Sequence, residues 1–92
     1  MARFLIEVPH GAKTKECALA VKILLNSGSH YLTNADYGCM DGVHKAWIIV
    51  EADSKEDAMY IVPSLFRPHA KVIMLNKFTL EEIDEILEQH QE

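Results

Sequence analysis

The sequence predicts an α+β fold built on one antiparallel sheet, and three observations carry that prediction. Two long alternating segments, Ser29 to Met40 and Val43 to Glu51, flank the dipeptide Asp41-Gly42. Asp-Gly in that setting is a strong hairpin signal, because both central residues of a two-residue turn must reach positive φ. Two further apolar segments, Arg3–Val8 and Ala70–Phe78, lie on either side of the hairpin, each separated from it by a stretch of helical apolar periodicity.

Each element follows from its residues. Arg3-Phe4-Leu5-Ile6-Glu7-Val8 reads as the first strand, ended by Pro9-His10-Gly11. Thr14 can cap a helix running to about Asn26, with Cys17, Ala20, Val21, Leu24 and Leu25 as its inward stripe and Ser27-Gly28 closing it. A two-residue hairpin loop sets Met40 opposite Val43, Cys39 opposite His44, Tyr37 opposite Ala46 and Asp36 opposite Trp47. Ser54 caps a second helix that turns Ala58, Ile61 and Val62 inward, until Pro63 stops it and Pro63 to Pro68 forms a stiff connection. Thr79 and Glu82 make a capping box for a last helix with Leu80, Ile83, Ile86 and Leu87 on one stripe. The order βαββαβ plus a C-terminal helix is the ferredoxin-like pattern, with an expected sheet order of 4-1-3-2 and helices on one face. Residues 1–78 form the body of the domain, and 79–92 an acidic helix packed on that body or on a partner.

Composition narrows the classes of function. A chain of 92 residues with 49% hydrophobic content can bury one core. No apolar run approaches the ~20 residues that span a bilayer, and Met1-Ala2-Arg3 enters a strand with no signal-peptide pattern, so the expected location is cytoplasmic, without membrane contact. Of the 14 acids, six lie from Glu81 onward, where there is no Lys or Arg, and the remaining body is close to neutral. Nucleic-acid binding needs a basic field and is not expected. Two cysteines make no disulfide framework; Cys17 reads as an ordinary reduced thiol on a helix.

Alternation along the strands sets the two faces of the sheet. Phe4, Ile6 and Val8 with His44, Ala46, Ile48 and Val50 suit a helix-covered side, which leaves Arg3, Leu5, Glu7, Lys45, Trp47, Ile49 and Glu51 on the other. A wet face should alternate cleanly, yet Leu5, Leu32, Trp47, Ile49 and one row of the fourth strand make an apolar patch. The economical cover is a second copy packed face to face, so the expected partner is the chain itself, as a homodimer; the last helix folded back over the patch is the alternative.

Two constellations could carry chemistry. In the 4-1-3-2 order one sheet edge collects His10, Cys39, His44 and His69, with Arg67 beside them. Imidazole and thiolate suit zinc or nickel, and the same Cys-His contact could activate a nucleophile. A plain packed polar contact is the bland reading of the same residues. On the open face, Asp36 faces Trp47 with Lys45 near both, which is either an ion pair that sets register or a carboxylate available for proton transfer. Asp36 and His44 are thus the catalytic candidates, and Trp47, Tyr37, Arg67 and Lys45 the candidates for holding a small-molecule ligand.

The run Trp47-Ile-Ile-Val-Glu-Ala-Asp-Ser-Lys-Glu-Asp-Ala58, then Val62-Pro-Ser-Leu-Phe-Arg-Pro68 and Ala70-Lys-Val-Ile-Met74, resembles the dimeric α+β-barrel group, including muconolactone isomerases and small nickel-binding relatives. The resemblance implies a face-to-face dimer with small-molecule pockets between sheet and helices or at the barrel mouth, and transfers no catalytic residue. The expected function is a homodimer that binds a small ligand or transition metal. An isomerase-like or cofactor-free oxygenase-type enzyme, and a purely structural assembly module, are the alternatives.

Overall fold

The structure is a computed structural model that describes residues 1–91. Its elements are β1 (Ala2–Pro9), α1 (Thr14–Leu25), α2 (His30–Thr33), β2 (Asp36–Gly38), β3 (Val43–Ala52), α3 (Lys55–Ile61), β4 (Lys71–Leu75) and α4 (Leu80–Gln89). Short 3-10 turns cover Cys39–Asp41 and Ser64–His69. The four strands form one sheet in the order β2-β3-β1-β4, and every pairing is antiparallel. A sheet has no intrinsic direction for counting, so from the other edge the same order reads 4-1-3-2, with the neighbour relations expected from the sequence.

The long hairpin does not form as the alternation suggested. Of the expected strand Ser29 to Met40, only Asp36–Gly38 pairs with β3. Side-chain hydrogen bonds divert the rest. Ser27 Oγ donates to the Leu24 carbonyl, and Ser29 Oγ accepts from the Leu32 N–H and caps the single turn of α2. Ser, Thr and Asn offer the backbone such local partners, which compete with a ladder. Asp36↔Trp47 and Tyr37↔Ala46 keep the expected register, but a bulge follows and Gly38 pairs with Val43. The loop is therefore four residues, closed by Gly42 in the left-handed region (φ 81°), with the Gly42 N–H bonded to the Cys39 carbonyl at 3.1 Å. Gly38 is required for a different reason: a Cβ there would come within 2.8 Å of the Trp47 ring and of the Val43 carbonyl.

The core lies on one side of the sheet. Phe4, Ile6 and Val8 of β1 and Ala46, Ile48, Val50 and Ala52 of β3 are buried against Leu24 of α1, Leu32 of α2, Ala58 of α3 and Val62 at its C-cap. Leu32 thus belongs to the core and not to the apolar patch, because α2 turns it inward. Leu25, expected on the inward stripe of α1, is 52% exposed. That helix begins with Lys13 at its N-cap and no capping side chain, so Thr14 is its first residue instead of its cap. Strand β4 stops at Leu75, opposite Arg3, because β1 has nearly run out of residues to pair with.

The other side of the sheet is open. Ile49, Leu5 and Ile73 are cross-strand neighbours in one row, with Ile49 and Ile73 about half exposed. Charged rows flank it, Trp47-Glu7-Lys71 and Glu51-Arg3-Leu75. The helix α4 does not fold over this face: none of its described residues is buried, and Leu80 and Leu87 are largely exposed. The molecule is 53 Å long with a radius of gyration of 16.5 Å, against about 12 Å for a compact chain of this length.

Leu32→Ala is expected to cost about 2–5 kcal/mol, as for a fully buried leucine. Urea unfolding followed by circular dichroism checks it. A cost near zero would return Leu32 to the open face.

Candidate metal centre

The site is assembled where β1 ends and β3 begins. The β1–β3 ladder runs to Pro9↔Lys45, and the next backbone bond, His10 N–H to the His44 carbonyl at 3.1 Å, sets these histidines side by side. Their rings meet edge to face with centroids 5.8 Å apart. His44 shares the parity of Ala46 and so faces the helical layer, where the first turn of α1 brings Cys17. Cys39 comes from the 3-10 turn after β2. One donor atom from each of His10, Cys17, Cys39 and His44 lies within 4.8 Å of the other three, and all four residues are half-buried.

Their electrostatics are consistent with a shared, partly dry site. His10 Nε2 lies 3.1 Å from Cys39 Sγ. Burial holds the His10 imidazole below its usual range, the neighbouring His44 adds to this, and a hydrogen bond to the Val8 carbonyl opposes it. The ring is therefore neutral near pH 7, the form that offers a lone pair. A hydrogen bond with Cys39 pushes the Cys17 thiol up, and burial and the charge of Cys39 act the same way. Two polar atoms here are buried with no hydrogen-bond partner among the described residues, His44 Nδ1 and the Tyr37 hydroxyl. Burial, then the charge of Cys39, raises the Tyr37 phenol. Unpartnered buried polar atoms are costly and call for an explanation, a missing ion among them.

Two imidazoles and two thiols are the donor set of a tetrahedral zinc site, with Zn–S near 2.3 Å and Zn–N near 2.0–2.1 Å. Donors on such a tetrahedron stand ~3.5 Å apart, so the group has only to contract slightly. Nickel and copper accept the same ligands.

The sequence-derived candidates separate. His10, Cys39 and His44 come together; His69 does not. β4 pairs with the side of β1 opposite to β3, so the start of β4 stands about 10 Å from β3. His69 ends the 3-10 turn before β4 and is exposed. Cys17 takes the fourth place. Its signal was in the sequence: the first turn of a helix that closely follows a strand lies at the edge where that strand ends, beside His10. Cys39 and His44 are not the direct cross-strand pair expected, since the bulge removes Cys39 from the ladder.

Asp36 faces Trp47, on the side of β3 opposite to His44, so these two catalytic candidates do not share a site. Asp36 lines an open cleft of about 330 Å³ with Trp47, Ile49, His30, Tyr31 and Asn34. Lys45 pairs with Glu7 (3.4 Å) instead of Asp36, and Trp47 Nε1 donates to the same Glu7 oxygen at 3.3 Å. Tyr37 lies on the core side, near Cys39. Arg67 is committed to the end of α3: Nε donates to the Val62 carbonyl at 2.8 Å, a terminal nitrogen to the Tyr60 carbonyl, and the guanidinium lies over the Tyr60 ring. It borders a separate cleft with Lys55, Glu56, Met59, Tyr60 and Val72. No helix among the described residues is long and apolar enough to cross a membrane.

No protein-family model matches this chain, and the searches of curated proteins and of solved structures found no match either.

Burial raises the Glu7 carboxyl, but the hydrogen bonds from Trp47 and Lys45 and the charges of Lys45 and Lys71 outweigh it and hold the carboxyl below its ordinary 4.5. A depressed carboxylate contributes stability that is fully present above its unfolded value and is lost as pH falls through the folded one. Glu7→Gln is therefore expected to be less stable than wild type at neutral pH, with the gap closing as pH drops below that ordinary value. Thermal unfolding of both proteins across acidic pH measures the gap, and a gap independent of pH would remove Glu7 as its source.

Proposed function

We propose that this chain is a small transition-metal-binding protein that acts as a homodimer, and that His10, Cys17, Cys39 and His44 hold the metal. The observation that carries the reading is the convergence of four soft and borderline donors from four separate parts of the chain within 4.8 Å. The orphaned His44 Nδ1 supports it, because ligation or an ordered hydrogen bond around a metal would satisfy a buried ring nitrogen. Zinc is the first candidate by donor set and nickel the second. Two free thiols as ligands fit a reducing compartment such as the cytoplasm.

The dimer reading rests on two unpartnered surfaces, the Ile49-Leu5-Ile73 row and the apolar stripe of α4. An isolated helix of ten residues is marginal in water, so α4 gains from a surface to lie against. A second copy supplies both surfaces at once in a face-to-face arrangement, the dimeric barrel that the ferredoxin-like order and the resemblance suggested. The last helix then packs on the partner and not on its own body. An enzyme of the isomerase or oxygenase type has less support, because Asp36 and His44 lie on opposite faces of the sheet.

Titration of the reduced chain with zinc, read by calorimetry and by metal content after gel filtration, is expected to give one metal per chain. Cys17→Ser, Cys39→Ser, His10→Ala and His44→Ala should each weaken binding by an order of magnitude or more, while His69→Ala binds as wild type. Affinity should fall on acidification, since thiolate and neutral imidazole are the ligating forms. Equal binding by all five variants would sink the assignment. Ile49→Glu is expected to shift the light-scattering mass from dimer to monomer without loss of zinc, whereas a monomeric wild type rules the dimer out.

A further inference from the structure

Two of the four donors are sulfurs, and a close pair of sulfurs has a second chemistry. Cys17 Sγ and Cys39 Sγ lie within 4.8 Å of each other on half-buried residues, open to a small oxidant from solvent. The turn that carries Cys39 has no buried residue and ends at Gly42, which has open space around it, so it can yield to the shorter S–S approach a disulfide needs. His10 Nε2, 3.1 Å from Cys39 Sγ, is placed to exchange a proton with that sulfur. We propose that Cys17 and Cys39 form a redox dithiol, which a hydroperoxide converts to an intramolecular disulfide, emptying the four-donor centre. The metal-release half rests on the metal reading above; the disulfide itself does not.

The step balances. In the metal-free chain Cys39 passes its proton to His10, and its sulfur attacks one peroxide oxygen; the O–O bond breaks, and the departing alkoxide takes the proton from His10. With zinc bound both sulfurs are already thiolates, and water supplies the two protons that the departing oxygens take. This leaves Cys39 as the sulfenic acid. The Cys17 sulfur then attacks the Cys39 sulfur, and the hydroxyl group departs as water with the Cys17 proton. Two thiols and one hydroperoxide become a disulfide, an alcohol and water, with two electrons passing from sulfur to oxygen. Only the two imidazoles then remain, half of a four-coordinate donor set. Reduction by an external thiol reverses the step.

Hydrogen peroxide added to the reduced full-length chain, with and without bound zinc, tests this. Intact mass, a non-reducing peptide map and a chromogenic zinc indicator are the readouts. Expected are a mass loss of two hydrogens, a Cys17–Cys39 linked peptide, and one zinc released for each disulfide formed, taken up again after a thiol reductant. Cys17→Ser should form no disulfide and leave a Cys39 sulfenic acid that dimedone traps. If the zinc-free wild type goes to Cys39 sulfinic acid, or links two chains instead of Cys17 to Cys39, the dithiol is overturned whether or not zinc binds. If the disulfide forms but the reduced chain binds no zinc, the dithiol stands and the metal reading, with metal release, fails alone.

Discussion

The central position of β1 is the constraint from which the other features follow. Its ladder with β3 runs from Ala2↔Ala52 to Pro9↔Lys45, while its other edge is taken by β4. Because successive side chains alternate between faces, that register puts Phe4, Ile6 and Val8 against the helices and fixes Arg3, Leu5 and Glu7 on the open side. A slip of one residue would exchange the two sets. It would also separate His10 from His44, whose backbone bond is the next rung of the same ladder.

From that rung the four candidate ligands assemble for reasons of chain path. β1 delivers His10 to the sheet edge, and the short turn that follows starts α1 there, which brings Cys17 over the helical side of His44. The bulge after Tyr37 lifts Cys39 out of the ladder and into a turn. That departure from regular pairing lets its sulfur meet Cys17 as well as the histidines. Bulges near sheet edges commonly re-aim side chains in this way. Gly38, pressed under the Trp47 ring, ties the geometry of this turn to the open face of the sheet.

The open face and α4 pose one problem between them. Each is amphipathic and each lacks a partner among the described residues, so the fold of a single copy leaves apolar surface on both exposed. Acids crowd α4, and two of them, Glu81 and Glu82, lie in its first turn, where Glu82 closes the capping box with Thr79. Glu7 is the contrasting case on the sheet. It lies in the row beside the Ile49-Leu5-Ile73 one and is held by Trp47 and Lys45, a polar anchor that any covering surface would have to accommodate.

The sequence alone determined the α+β class, the neighbour relations of the four strands, the two faces of β1 and β3, and the capping of α3 and α4 by Ser54 and Thr79. These are legible because alternation, helical stripes and caps are local patterns with periods of two to four residues. Alternation misled at Ser29 to Met40, where side chain–backbone bonds of Ser27 and Ser29 made a helical turn and carried Leu32 into the core. Which donors share a centre was settled only by tertiary structure. Cys17, Cys39 and the two histidines are spread along the chain, and His69, just before β4, lies across β1 from His44. Proximity of that kind depends on the path of the backbone between elements, and only the approach of Cys17 to His10, across one short strand-to-helix turn, had a local signal.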